Sequence, residues 1–493
     1  MATVIEQHPL IGNSIGSVVG QDLIYVVSNN TIVAQFKKVK FIAEVHISKG
    51  TAPNVSLPDD LVGSFKVTPN NAGVGIFNME NILENFMKPD NIGGSEGSIF
   101  SNYKGTSGDN DPHPLHLIDE FSFNDNISRW MAIQFKIEYL GATTCGGFQD
   151  DDVVSIACGQ AVNAGALLFF NGYVKHTDII SRVGQFNQNL GFDISTRSPS
   201  LHLTGNTASL LTNAPTTQFA NLEDYGVMAY IDPKFFGNTI TADVDRADIR
   251  YYDSSDVQIG FETLNKSNTT GAYSGNGGSN FSSQRYIMYF GIYPGNLRNH
   301  SSVFNALIAA TPMQVAYYTF KLKDSDDNTI CREYRINLNC PDLKGYESIR
   351  LCWLNQWGAW DYFTFNKKST RTISSKGSTY TQLGGTWNES LYRNYGYKGG
   401  KKSFRVNATE RISMNTDYLT EDFNTTFEEL INSPEVYMLE GFQTDLAFSD
   451  LTNYVTPVRL TTSNFTKKTV ANDKLIQYTF EIENSRTLKT QSV

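Results

Sequence analysis

The sequence predicts an all-β protein, mainly antiparallel, with multiple β-sandwich domains, a few short helices and long loops. Two observations carry that prediction. Apolar residues recur at every second position in each third of the chain, the signature of strands with one buried face. The composition agrees: charged residues make up 18%, against a typical value of about 25%. The 31 Phe, 25 Tyr and 39 Gly suit strands joined by turns. A chain of 493 residues exceeds the roughly 250–300 at which one core stops growing, so about three domains are expected. The turn-rich stretches SPSLHLTGN and CPDLKGY set their limits. Residues 1–205 form an N-terminal β-sandwich domain, 206–345 a middle β-rich domain and 346–493 a C-terminal β domain.

From the N-terminus, the first clear strand has Val39, Phe41, Ala43, Val45 and Ile47 on one face and Lys40, Glu44 and His46 on the other. A short helix is expected near 79–88, with Asn78 placed to cap it. Ile82, Leu83, Phe86 and Met87 form its apolar stripe and Pro89 stops it. Met131, Ile133, Phe135, Ile137 and Tyr139 then alternate with Ala132, Gln134, Lys136 and Glu138. The same half-buried pattern recurs at Val257, Ile259 and Phe261, and at Tyr318, Phe320 and Leu322. Between these, SSVFNALIAATP carries Val303, Phe304, Leu307 and Ile308 at helical spacing and ends before Pro312. The C-terminal third alternates at Phe404, Val406 and Ala408 and again at Ile476, Tyr478, Phe480 and Ile482. A helix near 421–432 lies between them, with Thr420 as its cap and Glu421 and Asp422 in its first turn, favouring the helix dipole. Phe423, Phe427, Leu430 and Ile431 share one face and Pro434 closes it. Gly- and Asn-rich stretches at 89–115, 265–285 and 366–402 read as long loops, available for contacts with neighbouring subunits.

Charge and cysteine usage narrow the function. The formal net charge of -10 is spread along the chain, which favours solubility and argues against direct nucleic-acid binding. No run approaches the roughly 18 apolar residues of a membrane span. The N-terminal MATVIEQHPLIGNSIG lacks a basic segment followed by an apolar one, so a soluble protein made without a secretory signal is expected. The five cysteines, Cys145, Cys158, Cys331, Cys340 and Cys352, show neither zinc-ligand nor disulfide spacing and read as free buried thiols from a reducing cytoplasm.

Few residue groups suggest chemistry. DNDPHPLH places Asp109, Asp111, His113 and His116 close together, the donor types a metal would take, but Pro112 and Pro114 make the stretch an extended loop without a supporting histidine cluster. Asp150, Asp151 and Asp152 are consecutive, whereas a calcium loop needs alternating acids that converge on one ion. Neither a phosphate loop nor a dinucleotide fingerprint is present. Paired carboxylates for glycoside hydrolysis are set in space and are not readable here. The sequence therefore nominates no catalytic, cofactor-binding or metal-binding residue, and no cofactor.

The densest feature is LCWLNQWGAWDYFTFN at 351–366, with Trp353, Trp357 and Trp360 inside eight residues. Aromatics beside glycines stack on sugars, but Ile349, Leu351 and Trp353 point to one face and Cys352 and Leu354 to the other. The strand is apolar on both sides and belongs between layers. Asn355–Gly358 reads as a turn and Asp361–Phe365 as the returning strand. Trp353, Trp357, Trp360, Phe363 and Phe365 are accordingly assigned to structural core or a subunit interface.

That stretch resembles a pattern of the form W/F-L-N, W/L-G-G/A, W/F-D-Y-F-T-F in virion structural proteins of tailed bacteriophages, notably phages of marine and Bacteroidetes hosts. NNAGVGIFNMENIL, SLLTNAP, YFGIYPGNL, RISMNTDYL, ELINSPEVYML, PVRLTTSNFTKKT and LIQYTFEIENS agree in order, and Ala359 stands where the pattern often has a second glycine. The resemblance implies a non-enzymatic tail, baseplate or collar component of the virion. Such a subunit is made in the host cytoplasm and assembles as a ring-like oligomer of its own copies with other phage tail proteins. A tail protein that recognises host glycan, and a tail enzyme that degrades host polysaccharide, are the alternatives.

Overall fold

The computed structural model describes residues 3–9, 15–48, 53–55, 60–88, 116, 121–123, 127–140, 154–156, 162–173, 210–231, 244–265, 287–310, 313–324, 326–339, 345–440, 454–467 and 476–488. The chain is all-β and mostly antiparallel, with five short helices among the described residues. It divides into two compact units. One comprises Met1–Asn339, Leu354–Asp361 and Phe442–Thr452; the other comprises Cys340–Trp353, Tyr362–Gly441 and Asn453–Val493. The limit expected near 205 lies outside the described residues.

In the first unit the strands, numbered along the chain, are β1 Val4–Gln7, β2 Ile15–Gly20, β3 Ile24–Ser28, β4 Lys37–Ser48, β5 Leu61–Val67, β6 Val74–Asn78, β7 Phe121–Phe123, β8 Ser128–Leu140 and β9 Val154–Ile156. They continue with β10 Val162–Tyr173, β11 Thr217–Ala220, β12 Val227–Ile231, β13 Arg246–Tyr252, β14 Gln258–Asn265, β15 Ile287–Gly291, β16 Tyr317–Lys323 and β17 Tyr334–Leu338. A three-stranded sheet, β1-β3-β6, stacks on the sheet β2-β10-β8-β4-β5 as a sandwich. The reason is the period-2 pattern of both. Tyr25, Val27 and Phe77 from one layer meet Phe41, Ala43, Val45, Ile133 and Phe135 from the other in one core. Ring centroids of Tyr25 and Phe77 lie 5.7 and 5.5 Å from that of Phe135.

Two further sheets follow, β11-β17-β16-β13-β14 and β12-β15-β7. VMAYI in β12 and IMYFG in β15 are buried at every position, so these strands show no alternation for the sequence to reveal. Among the described residues two pairings are parallel, β10 with β2 and β11 with β17.

The second unit holds one seven-stranded sheet. Its strands are β18 Ile349–Leu354, β19 Trp360–Phe365, β20 Thr370–Gln382, β21 Gly400–Asn415, β22 Val436–Leu439, β23 Val455–Leu460 and β24 Thr479–Asn484, in the order β19-β18-β22-β23-β24-β21-β20. The helix Phe423–Asn432 lays Phe423, Phe427 and Leu430 on this sheet. Phe427 lies 5.0 Å from Phe363 and 5.2 Å from Phe480, centroid to centroid.

Several local expectations are corrected. The helix near 79–88 spans only Glu80–Glu84; Asn78 still receives the Glu80 N–H at 3.1 Å, but divides its carbonyl with the N–H of Leu23. The C-terminal helix begins at Phe423 after Asp422, so Thr420 is not its cap and the two acids precede its first turn. Ser301 caps the helix Ser302–Ala309 by accepting from Phe304 N at 2.8 Å. His46, expected on the solvated face of β4, is buried, and neither ring nitrogen has a hydrogen-bond partner among the described residues. It pairs across to Ala132 and Leu61, so that end of the face is apolar on both flanks. Phe261 is exposed on the edge strand β14, and Val257 is exposed in the turn just before it. The expected loop 366–402 holds all of β20 and the start of β21, paired as a β-ribbon, and Phe404 and Val406 stand exposed on it.

Candidate functional site

The aromatic stretch folds as adjacent strands β18 and β19 joined by a tight turn. Trp353, Trp357, Trp360, Phe363 and Phe365 are all buried. Trp353, Phe363 and Phe365 lie in the core beneath the helix Phe423–Asn432. The turn residues Leu354–Asp361 are grouped with the first unit, and polar bonds fix them there. Asn355 Nδ2 donates to Leu211 O at 2.8 Å, and its Oδ1 accepts from Trp357 N at 2.9 Å and Ala359 N at 3.1 Å. The Trp357 indole donates to Asn213 Oδ1 at 3.0 Å. Gly358 has φ +74°, and an added Cβ would stand 2.5 Å from Asn171 O, so this glycine serves both a left-handed turn and a close backbone approach. Ala359 is not left-handed. No indole face here is open to a sugar.

Two buried charges within the stretch escaped the sequence reading. Arg350 donates to Thr364 Oγ1 at 2.9 Å and lies 5.1 Å from the Tyr362 ring centroid. Asp361 accepts from the Thr212 hydroxyl. The sequence showed them only as polar interruptions in an apolar run.

The other candidates offer little chemistry. Asp109, Asp111, His113 and Asp150 to Asp152 lie outside the described residues. His116 is buried rather than on a solvated loop, edge-on to Trp360 at 5.0 Å. Cys331 and Cys352 are buried free thiols; burial pushes Cys331 up to about 12 and raises Cys352 as well, which removes their nucleophilicity near neutral pH. Cys145, Cys158 and Cys340 lie outside the described residues. Among the described residues no group of three His, Cys, Asp or Glu side chains could hold a metal ion, and no helix is long and apolar enough to cross a membrane.

The most exposed feature of the second unit is the ribbon of β20 and β21. The strands pair from Thr370↔Ser413 to Gln382↔Gly400, with a bulge at Ser378/Thr379. Its root is anchored: β24 pairs with Arg411–Asn415, and Arg371 bridges Glu347 and Glu410. That guanidinium holds the Glu347 carboxyl below the usual glutamate range. Beyond the Ala408↔Leu488 bridge, Gly400–Asn407 pairs only with β20 among the described residues. This free length is about 27 Å at roughly 3.4 Å per residue.

The tip is ordered by its own bonds. Thr386 Oγ1 donates to Leu391 O at 2.7 Å and accepts from Arg393 N at 3.0 Å, and Tyr395 N donates to Gly384 O at 3.3 Å. Tyr395 and Tyr397 stack at 5.5 Å with Lys398 Nζ 5.3 Å from the Tyr395 centroid. Large apolar side chains point outward: Trp387 is 80% exposed, Tyr392 69% and Tyr397 72%, with Leu383 and Leu391 also exposed. Residues 370–415 carry eight Lys or Arg against two Glu, a surplus of six positive charges in a chain of net -10, which leaves -16 on the remainder.

No family model and no curated protein matches this chain. Among solved structures, trypsin-activated alpha-2-macroglobulin from Escherichia coli aligns at 7% identity and a TM-score of 0.13, over 97% of this chain and 42% of that one. A likeness at that level carries no argument about fold or function.

Proposed function

We propose that the chain is a structural subunit of a tailed-phage virion, an oligomeric tail, baseplate or collar protein whose work is assembly and not catalysis. The observation that carries this reading is the ribbon: a projection exposed on both faces, with large apolar side chains at its end, has no use inside its own fold. The resemblance of LCWLNQWGAWDYFTFN and the ordered segments around it to phage virion proteins supports the same reading.

The mechanism is rigid display followed by burial. Closed sheet cores fix where each ribbon leaves the subunit, and the tip aromatics are covered on a neighbour. Burying Trp387, Tyr392 and Tyr397 would contribute about 1.5–3 kcal/mol each, enough together to offset much of the roughly 4–15 kcal/mol cost of association. A ring repeats the contact at every subunit, with other phage tail proteins as further partners. In this reading the protein is made in the host cytoplasm and carried in the virion tail. The test is its position and copy number in intact particles: a ring of copies on the tail axis is expected, and a few peripheral spikes would overturn the proposal.

The same exposed aromatics favour a second reading, recognition of host glycan, because flat rings beside polar groups stack on sugars. Glycan-array binding that Trp387→Ala abolishes, with self-association unchanged, would select it.

A further inference from the structure

We propose that the aromatic, basic tip of the ribbon in one copy docks on the outer face of the β1-β3-β6 sheet of a second copy. This rests on the assembly reading above and names the surface that receives the ribbon.

The receiving face is defined by register. Val4 pairs with Ser28, Ser28 with Val74, Val26 with Ile76 and Ile24 with Asn78, while the alternate residues Tyr25, Val27 and Phe77 turn into the sandwich core. Val4 and Ile76 are exposed and Ile24 and Val26 half-buried, so this outer face is apolar where a solvated sheet face would be polar. Acids border it. Glu6 accepts from Ser28 Oγ, and Asn78 Nδ2 donates to Asp22 at 2.9 Å where the strands end. Glu80 and Glu84 follow on the next helical turn. None of these four acids forms an ion pair among the described residues. Burial first, and then the neighbouring Asp22 and Glu84 charges, raise the Glu80 carboxyl above the ordinary glutamate value.

The ribbon tip has the complementary make-up. Trp387, Tyr392 and Leu391 supply apolar surface for Val4, Ile24, Val26 and Ile76. Lys398, Lys401 and Lys402 supply the positive charge that the acidic border lacks. The surplus of six positive charges on the ribbon against -16 on the rest of the chain makes a second copy an electrostatically attractive partner and disfavours ribbon-to-ribbon pairing. Nucleic acid or an anionic bilayer would meet the cations but would also be repelled by the acidic remainder.

The test uses the full chain in sedimentation velocity at low and high salt. Wild type is expected to self-associate with concentration, less so at high salt. Trp387→Ala should weaken association by about tenfold or more, as for an aromatic anchor. A Lys401→Glu/Lys402→Glu variant and a Glu80→Lys/Glu84→Lys variant should each lose association alone and regain it when combined in one chain. All these positions lie at the surface, and unchanged thermal unfolding would confirm intact folds. If ribbon variants weaken association but the Glu80/Glu84 and Ile76→Ser variants do not, the docking surface is wrong while the assembly reading stands. A monomer at every concentration, or duplex DNA or phosphatidylglycerol vesicles bound through Trp387 in place of a second copy, overturns the proposal. The assembly reading itself falls only if the particle holds no ring of this chain.

Discussion

Gly358→Ala tests the turn that joins β18 to β19, and its cost can be built from the geometry. Gly358 sits at φ +74°, where an L-residue loses about 1–2 kcal/mol, while the less flexible unfolded chain returns about 0.4–1 kcal/mol. Conformation alone therefore costs about 1 kcal/mol. The new Cβ would also lie 2.5 Å from Asn171 O and 3.0 Å from Asn171 C. Asn171 cannot retreat freely, since its N–H donates to Ile127 O at 2.6 Å and Tyr173 N, two residues on, donates to Gln356 O at 2.8 Å. Loss of one or two such bonds, at about 1 kcal/mol each, brings the total to about 2–3 kcal/mol, with any misplacement of the Trp357 indole adding to it. Gly73→Ala is the matched control in the same unit. Its φ is +78°, and its nearest neighbour, Val33 Cγ1, lies at 3.4 Å, an ordinary contact. Urea unfolding followed by tryptophan fluorescence gives both values. If Gly358→Ala costs no more than Gly73→Ala, the close approach to Asn171 does not constrain the turn and the reasoning fails.

Three other substitutions probe separate features. Trp353→Ala should destabilise by about 3–5 kcal/mol, whereas Trp353→Phe should cost far less, because the buried indole N–H has no partner to lose among the described residues; calorimetry of both variants separates packing from hydrogen bonding. Trp387→Ala should change stability by less than about 0.5 kcal/mol and remove the tryptophan most accessible to acrylamide. Glu80→Gln addresses pH: burial and the nearby acids raise this carboxyl, so the fold is favoured by its protonated form. Its contribution is present below the ordinary glutamate value and lost as pH rises through the raised one. The variant should therefore lose that decline, and an unchanged pH profile of the melting temperature would count against the acidic border.

Legibility in the sequence followed burial on one face. β8 and β16 alternate legibly where one face stays partly open: Ile133 and Phe135 are buried on either side of Gln134, and Phe320 and Leu322 on either side of Lys321. β12 and β15 gave no rhythm because both faces are covered. The ribbon failed for the opposite reason. Both faces are open, so Thr, Ser, Lys and Gly fill β20 and the segment reads as a loop. The same cause hides the candidate site in the sequence: the buried tryptophans sit in an alternating apolar run, while the exposed Trp387 carries no periodic signal. Cap positions failed more locally, since Thr420 and Asp422 are equally plausible by residue type and only the backbone decides between them.

The pairing of β21 with β24 has a consequence for synthesis. The two strands of the ribbon are neighbours in sequence and can zip within about 1–10 μs. The strand that anchors the root begins only at Thr479, well after Asn415 has emerged. At about 5–20 residues per second, the nascent chain exposes a formed, sticky hairpin for on the order of ten seconds before the root is locked. Polysomes translating this message bring such hairpins close together during that interval. Slowing elongation should therefore raise the fraction of protein lost to co-translational aggregation, and shortening the tip should relieve it.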